Sequence, residues 1–285
     1  MKKNQITVLA KSPLRYPGSK QKFCVTFADW FKKNNISPDL FIEPFAGGAS
    51  ISIFLLQKGL VKKIALIEKD PLIASLWKTI FNESEWLIKE IKKLKLTIDN
   101  WNYFKQYKPK STRTKALKCL FLNRTNFSGI LNAGPIGGKK QQSKYPLDCR
   151  FNKEEIIRRI TILAQYQNCI EFIEEGDYLE ILSTKLKNMP ENTFFYFDPP
   201  YVNKAEQLYN FYFNDQNHIE LRNYLKYTKF NWLLSYDYSP SIEILYKSHK
   251  FCNTGYLDII YSTSIQKQTR NIKKEFLASN LTLNL

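Results

Sequence analysis

Histidine is nearly missing from this chain of 285 residues: only His218 and His249 occur, too few for a histidine-based triad or metal centre. Cysteine is sparse as well. Cys24, Cys119, Cys149, Cys169 and Cys252 are odd in number, scattered and never spaced Cys-x-x-Cys. That pattern fits reduced thiols in a cytoplasmic protein and gives no structural zinc site. No apolar run reaches the length of a membrane span; the best stretch, Phe41 to Leu56, is broken by Glu43, Pro44 and two glycines. The opening Met1-Lys2-Lys3-Asn4-Gln5 lacks the apolar segment of a signal peptide. Acidic residues are in short supply, 26 against 43 basic, for a net charge of +17.

The charge is unevenly spread. Between Trp86 and Arg150 stand 15 basic residues and only 3 acidic ones, so this stretch carries +12 of the chain's +17. Such a segment is the electrostatic footprint of a polyanion. Trp101, Tyr103, Phe104 and Tyr107 are interleaved with it, which favours nucleic acid over a membrane surface.

The apolar pattern predicts an α/β fold. Asp39 to Glu43 reads as a strand, the turn Pro44-Phe45-Ala46-Gly47-Gly48 follows, and a helix runs from Ala49–Ser50 through Leu56. Ile64 to Ile67 is a second strand closed by Glu68, and Pro71 opens a helix. This β-turn-α-β unit starts a doubly wound sheet. The basic segment interrupts the rhythm with helical stretches near 84–96 and 113–122 and an irregular run over 123–148. Strands resume at Ile170–Ile173, Phe194–Phe197 and Trp232–Ser235, with helices near 178–186 and 216–227. Residues 257–261 and 275–278 read as a closing strand pair.

Asp198-Pro199-Pro200-Tyr201 follows the Phe194–Phe197 strand without a spacer. It therefore sits at a carboxyl end, where open α/β sheets place their chemistry. The prolines stiffen the turn and contribute no donors. The Asp198 carboxylate and the Pro199 carbonyl are two acceptors beside the Tyr201 ring, a set suited to a nucleobase amine. The Gly47-Gly48 turn lets a ligand approach the backbone. Glu43 ahead of it would repel a pyrophosphate but suits a cation. Glu68, with Asp70 as its rival, is placed to accept from ribose hydroxyls. Together these describe a nucleoside pocket without phosphate, which S-adenosylmethionine fits.

Three runs, LRYPGSK (residues 14–20), FIEPFAGGAS (41–50) and YFDPPYV (196–202), resemble the Dam-like, D12-type DNA adenine methyltransferases. The motif order is similar to that of the α-class amino-methyltransferases. The resemblance implies a Rossmann-like, S-adenosylmethionine-dependent methyltransferase sheet carrying an inserted, mainly helical target-recognition domain. The chain then divides into catalytic residues 1–80, insertion 81–168 and catalytic residues 169–285. Implied cofactor contacts are Tyr16, Lys20, Glu43, Phe45, Gly47, Glu68, Asp177 and Asp198; Asp177 reads equally as a helix N-cap. Asp198, Pro199 and Tyr201 would hold the target adenine, with no metal.

The stretch Asn123 to Leu131 resembles the family's recognition segment, which points to DNA contacts from Arg124 and Asn126; Arg124 reads equally as structural. Lys139 and Lys140 follow as phosphate contacts. Ser128, Asn132 and Ser19 depart from the family pattern, and a GATC target is not implied. The implied partner is double-stranded DNA, methylated by a monomer within a restriction–modification system whose endonuclease is encoded separately. Methylation of a cytosine amine or of RNA, and a catalytically silent DNA-binding protein on the same fold, are the alternatives.

Overall fold

The computed structural model describes residues 9–15, 23–200, 213–248, 250–260 and 272–283. Seven strands form one sheet: β1 (Leu40–Glu43), β2 (Lys63–Glu68), β3 (Ile170–Glu175), β4 (Thr193–Phe197), β5 (Asn231–Asp237), β6 (Asn253–Ile260) and β7 (Ile272–Ser279). Their order is β3-β2-β1-β4-β5-β7-β6. The first five pair in parallel, and β7 runs antiparallel to both β5 and β6. Every residue of β1 and β4 is buried. Helices cover both faces, which is why these strands are continuous apolar runs rather than alternating ones.

On one face, α1 (Phe23–Lys33) and α2 (Ser50–Gln57) pack against β1 and β4. The contact is mostly aromatic: Phe27 meets Phe41 at 5.9 Å and Tyr196 at 5.1 Å, both edge-on. Two further helices belong to the same stretch of chain, α3 (Pro71–Asn82) and α4 (Ser84–Lys93), followed by α5 (Ile98–Gln106), α6 (Thr112–Thr125) and α7 (Lys153–Ala164). On the opposite face lie α8 (Tyr178–Lys185), α9 (Asp215–Tyr227) and α10 (Pro240–Lys247), around Phe195, Phe197, Trp232 and Leu234.

The basic segment is built on the sheet. Trp77, Ile80 and Phe81 of α3 share one core with Ala116, Cys119, Leu120 and Phe121 of α6 and with Leu66 and Ile173 of the strands. The aromatic residues expected to line a nucleic-acid surface divide. Trp101 and Phe104, three apart on α5, are buried, with Phe104 stacked on Phe121 at 4.4 Å. That spacing places both on one helical face, and the face turns inward. Tyr103 is 57% exposed and stacks on Tyr107. The edge strand β3 is shielded by charge: Glu171 pairs with Lys63, Glu174 with Lys185 and Lys78, and Glu175 with Lys115, a common defence against strand addition.

Candidate active site

The strand order reverses between β1 and β4, so the carboxyl ends of these two strands border a crevice. Glu43 closes β1 and Asp198 follows β4, one on each side of it. Leu40, Phe41 and Ile42 lie opposite Thr193, Phe194 and Phe195. Period-two alternation then puts Phe41, Glu43, Tyr196 and Asp198 on the α1–α2 face.

Glu43 is 4% exposed. Its Oε1 accepts from the Ser52 N–H at 3.1 Å, capping the first turn of α2 from across the glycine turn. Its Oε2 is buried and has no hydrogen-bond partner among the described residues. Burial pushes the carboxyl up to about 8, and the nearby Asp198 charge adds to the rise. A buried carboxyl with one idle oxygen beside a second acid is fitted to receive a cation.

Glu68 organises the turn. Its Oε2 accepts from the Gly47 N–H and its Oε1 from the Asp70 N–H, both at 2.8 Å. Burial raises it to about 7. The Trp77 indole donates to the Gly47 carbonyl at 2.9 Å. Gly47 (φ 43°) and Ala49 (φ 46°) both adopt left-handed conformations, which the tight turn demands. The amides of Gly47 and Ser52 thus face acidic side chains instead of standing open to an anion, as a helix N-terminus built for phosphate would require. Asp70 caps α3 through the Leu72 N–H at 2.9 Å.

Beyond the other face of the sheet end, Phe45 packs 4.9 Å from Tyr178 and 5.3 Å from Phe213, and Tyr178 stacks on Phe213. Asp177 stands beside this aromatic group. Its Oδ1 caps α8 through the Leu179 N–H at 3.0 Å and its Oδ2 meets Lys69 at 3.1 Å, so the helix-cap reading describes one of its oxygens. Asp198 Oδ1 accepts from the Ser235 hydroxyl at 3.1 Å. Pro199 is buried and Pro200 half-buried. Tyr16, Lys20 and Tyr201 lie outside the described residues.

Asn126 and Arg124, both expected at the DNA, make hydrogen bonds within the protein. Asn126 is fully buried. Its Oδ1 accepts from the Trp101 indole at 2.7 Å and its Nδ2 donates to the Ile130 and Leu131 carbonyls, both at 2.9 Å. Arg124 donates through Nε and Nη2 to the Pro13 carbonyl and through Nη1 to that of Arg150. Burial, with the charges of Arg159 and Arg15, lowers it to about 10. The loop they hold presents other groups. Phe127 is 69% exposed, between the Asn126 anchor and the left-handed pair Ser128 and Gly129. Lys139 and Lys140 are exposed on a turn stapled by Gln141, whose Nε2 donates to the Ile136 and Gly138 carbonyls, both at 2.7 Å.

Sequence reasoning missed Ser235, Asn123, Phe127, Tyr178 and Phe213. Asn123 and Phe127 did lie in the stretch that resembles the recognition segment, and Ser235 ended a predicted strand. Among the described residues no cluster of His, Cys, Asp and Glu could hold a metal, and no helix is long and apolar enough to cross a membrane.

A type II methyltransferase of Methanocaldococcus jannaschii, M.MjaIII, is 26% identical over 221 residues, covering 68% of this chain and 71% of that protein. A solved Pyrococcus horikoshii structure described as an RNA methyltransferase aligns over 93% of this chain and 84% of its own, at 9% identity and a TM-score of 0.39. Residues 16–265, holding the reversal point, both acids and the insertion, match the D12 class of N6 adenine-specific DNA methyltransferases, and the chain belongs to that family.

Proposed function

We propose that this protein binds S-adenosylmethionine in the crevice between β1 and β4 and methylates the 6-amino group of an adenine swung out of duplex DNA. The observation that carries this reading is the placement of Asp198 and Glu43 on either side of the strand-order reversal, close enough for the charge of one to bear on the other, with a buried oxygen of Glu43 that has no hydrogen-bond partner among the described residues.

S-adenosylmethionine, when bound, supplies a methyl group already activated by attachment to a sulfonium. Glu43 would hold its positive end, and the turn at Gly47 would let it lie against the backbone. Glu68 and Asp70 stand where ribose hydroxyls are met in doubly wound folds. Phe45, with Tyr178 and Phe213 around it, offers an aromatic surface for the cofactor's adenine, beside Asp177. Tyr16 and Lys20 complete this set by their family resemblance.

The target amine is a weak nucleophile, because its lone pair is delocalised into the purine. Two hydrogen bonds from that amine, to Asp198 and to the Pro199 carbonyl, draw the nitrogen out of the ring plane and free its lone pair. Asp198 then takes up the proton the nitrogen sheds and passes it to water. The reaction asks for positioning more than for base strength. Extruding the base costs a few kcal/mol; stacking on Tyr201 returns about 1–3 kcal/mol of this. Lys139 and Lys140 would meet phosphates, and the exposed Phe127 offers a stacking face at the loop tip. Arg124 and Asn126 act behind that loop by fixing its shape. The M.MjaIII likeness favours a setting in restriction–modification.

The test is single-turnover transfer of a tritiated methyl group to genomic DNA that lacks adenine methylation. Asp198→Ala abolishes transfer while cofactor affinity persists; transfer at the wild-type rate in that variant would overturn the assignment.

A further inference from the structure

Behind Asp198 lies a second hydrogen-bonded layer that its role as amine acceptor does not require. The register of β4 against β5 pairs Tyr196 with Leu233 and Phe197 with Leu234. Continued by one rung, it brings Ser235 beside Asp198. The Ser235 hydroxyl lies 3.1 Å from Asp198 Oδ1 and 2.8 Å from the Tyr196 hydroxyl. Both residues are buried, at 1% and 2% exposure.

Proton counting sets the direction of this chain. An ionised carboxylate only accepts, so Ser235 spends its single proton on Asp198. Ser235 can then only accept from Tyr196, whose hydroxyl proton points toward it. The ring of Tyr196 is fixed in turn by Phe27, edge-on at 5.1 Å, and Phe23 at 6.3 Å. A rigid aromatic cluster thereby sets the rotation of a carboxylate three groups away. Other groups bear on the same acid: Glu43 from β1 and Tyr236 from β5 both feel its charge.

We infer that Ser235 and Tyr196 are positioning residues for methyl transfer: a hydroxyl relay, Tyr196 to Ser235 to Asp198, that holds Oδ1 and so fixes the rotation of the carboxylate that the target amine meets. This rests on Asp198 being the amine acceptor. The relay differs from general packing because its two members act in series. Once Ser235 is removed, the relay no longer links Tyr196 to the acid.

The experiment measures single-turnover methyl transfer and cofactor affinity for wild type, Ser235→Ala, Tyr196→Phe, the double variant and Asp198→Ala. Ser279→Ala serves as comparator, since Ser279 is an equally buried hydroxyl that donates to the Trp232 carbonyl at 2.6 Å, away from the acid. Losing a hydrogen bond to a charged group slows Ser235→Ala roughly tenfold to hundredfold, with cofactor affinity and KM for DNA unchanged. Tyr196→Phe slows several-fold, and the double variant is no slower than Ser235→Ala alone. Ser279→Ala keeps its rate whatever it loses in melting temperature. The inference is overturned if Asp198→Ala is inactive while Ser235→Ala transfers within about twofold of wild type. It also falls if the two hydroxyl losses multiply. An active Asp198→Ala would instead remove the acceptor assignment, and the relay with it. Should Ser235→Ala fail to bind cofactor, Tyr196→Phe decides: slower transfer with intact affinity supports the relay, and an unchanged rate overturns it.

Discussion

The Asn123 side chain grips the backbone of Arg15 from both sides, accepting from its N–H at 2.8 Å and donating to its carbonyl at 2.9 Å. The same amide also donates to the Gly129 carbonyl at 2.8 Å. One buried residue of α6 thus ties the loop after it to the segment that leads directly into Tyr16 and Lys20. Asn123→Ala removes the hydrogen-bond partner of three backbone groups, one of them buried and two partly buried. A loss of about 2–4 kcal/mol, or roughly 4–10 °C in Tm, is expected by calorimetry, together with weakened binding of both cofactor and DNA. A stability loss with both affinities intact would argue against the tie.

Gly129 makes the closest approach in that junction. It sits at φ +77°, and a Cβ there would meet the Arg15 carbonyl oxygen at 2.1 Å. Backbone on both sides leaves no flexible group to yield. Gly129→Ala is therefore expected to displace the loop and to weaken DNA binding at least tenfold while α3 and the sheet core stay folded. Fluorescence anisotropy with labelled duplex, beside a thermal melt, checks both halves.

The two buried acids set a pH dependence. Glu43 and Glu68 are raised to about 8 and about 7, from 4.5 in the unfolded chain. Each holds its proton more tightly when folded. Its contribution is complete below about pH 4.5 and is lost as pH rises through the folded value. Between pH 6 and pH 8.5 the wild-type Tm should fall more steeply than that of Glu43→Gln. Parallel curves would refute the assignment.

Cofactor binding is coupled to the same proton. A cation received by Glu43 favours its ionised form, so binding at pH 7 should release a proton. Titration calorimetry in two buffers of different ionisation enthalpy reports it, and Glu43→Gln should bind more weakly and lose that release.

Lys139 and Lys140 stand on a turn held by Gln141 rather than on a free loop, which makes them fixed charges. Changing either to alanine should weaken DNA binding uniformly across sequences and lower the slope of log affinity against log salt by roughly 0.9. A change in sequence preference would instead make the residue a base reader.

The sheet and its chemistry were legible because they rest on local patterns. Continuous apolar runs marked β1, β2 and β4, and the acids and glycines at their ends marked the crevice before any strand was paired. The helices α1, α5, α7 and α10 were not read. In α5 the polar Asn102 and the exposed Tyr103 between Trp101 and Phe104 masked an inward face that only α6 completes. Asn126 and Arg124, read as DNA contacts, also bond within the protein, for a related reason. A recognition segment needs polar residues at the DNA, but it needs them equally to satisfy its own irregular backbone, and sequence does not separate the two duties. Ser235 shows the opposite limit, since its importance lies in a register between strands 37 residues apart.

The central claim is that this chain puts a methyl group on the adenine amine and that Asp198 receives that amine. Its most direct test is nucleoside mass spectrometry of duplex DNA incubated with the protein and S-adenosylmethionine bearing a deuterated methyl group. Labelled N6-methyl-2′-deoxyadenosine is expected, and none with Asp198→Ala. Label on the cytosine amine, or undiminished label from the variant, would contradict it.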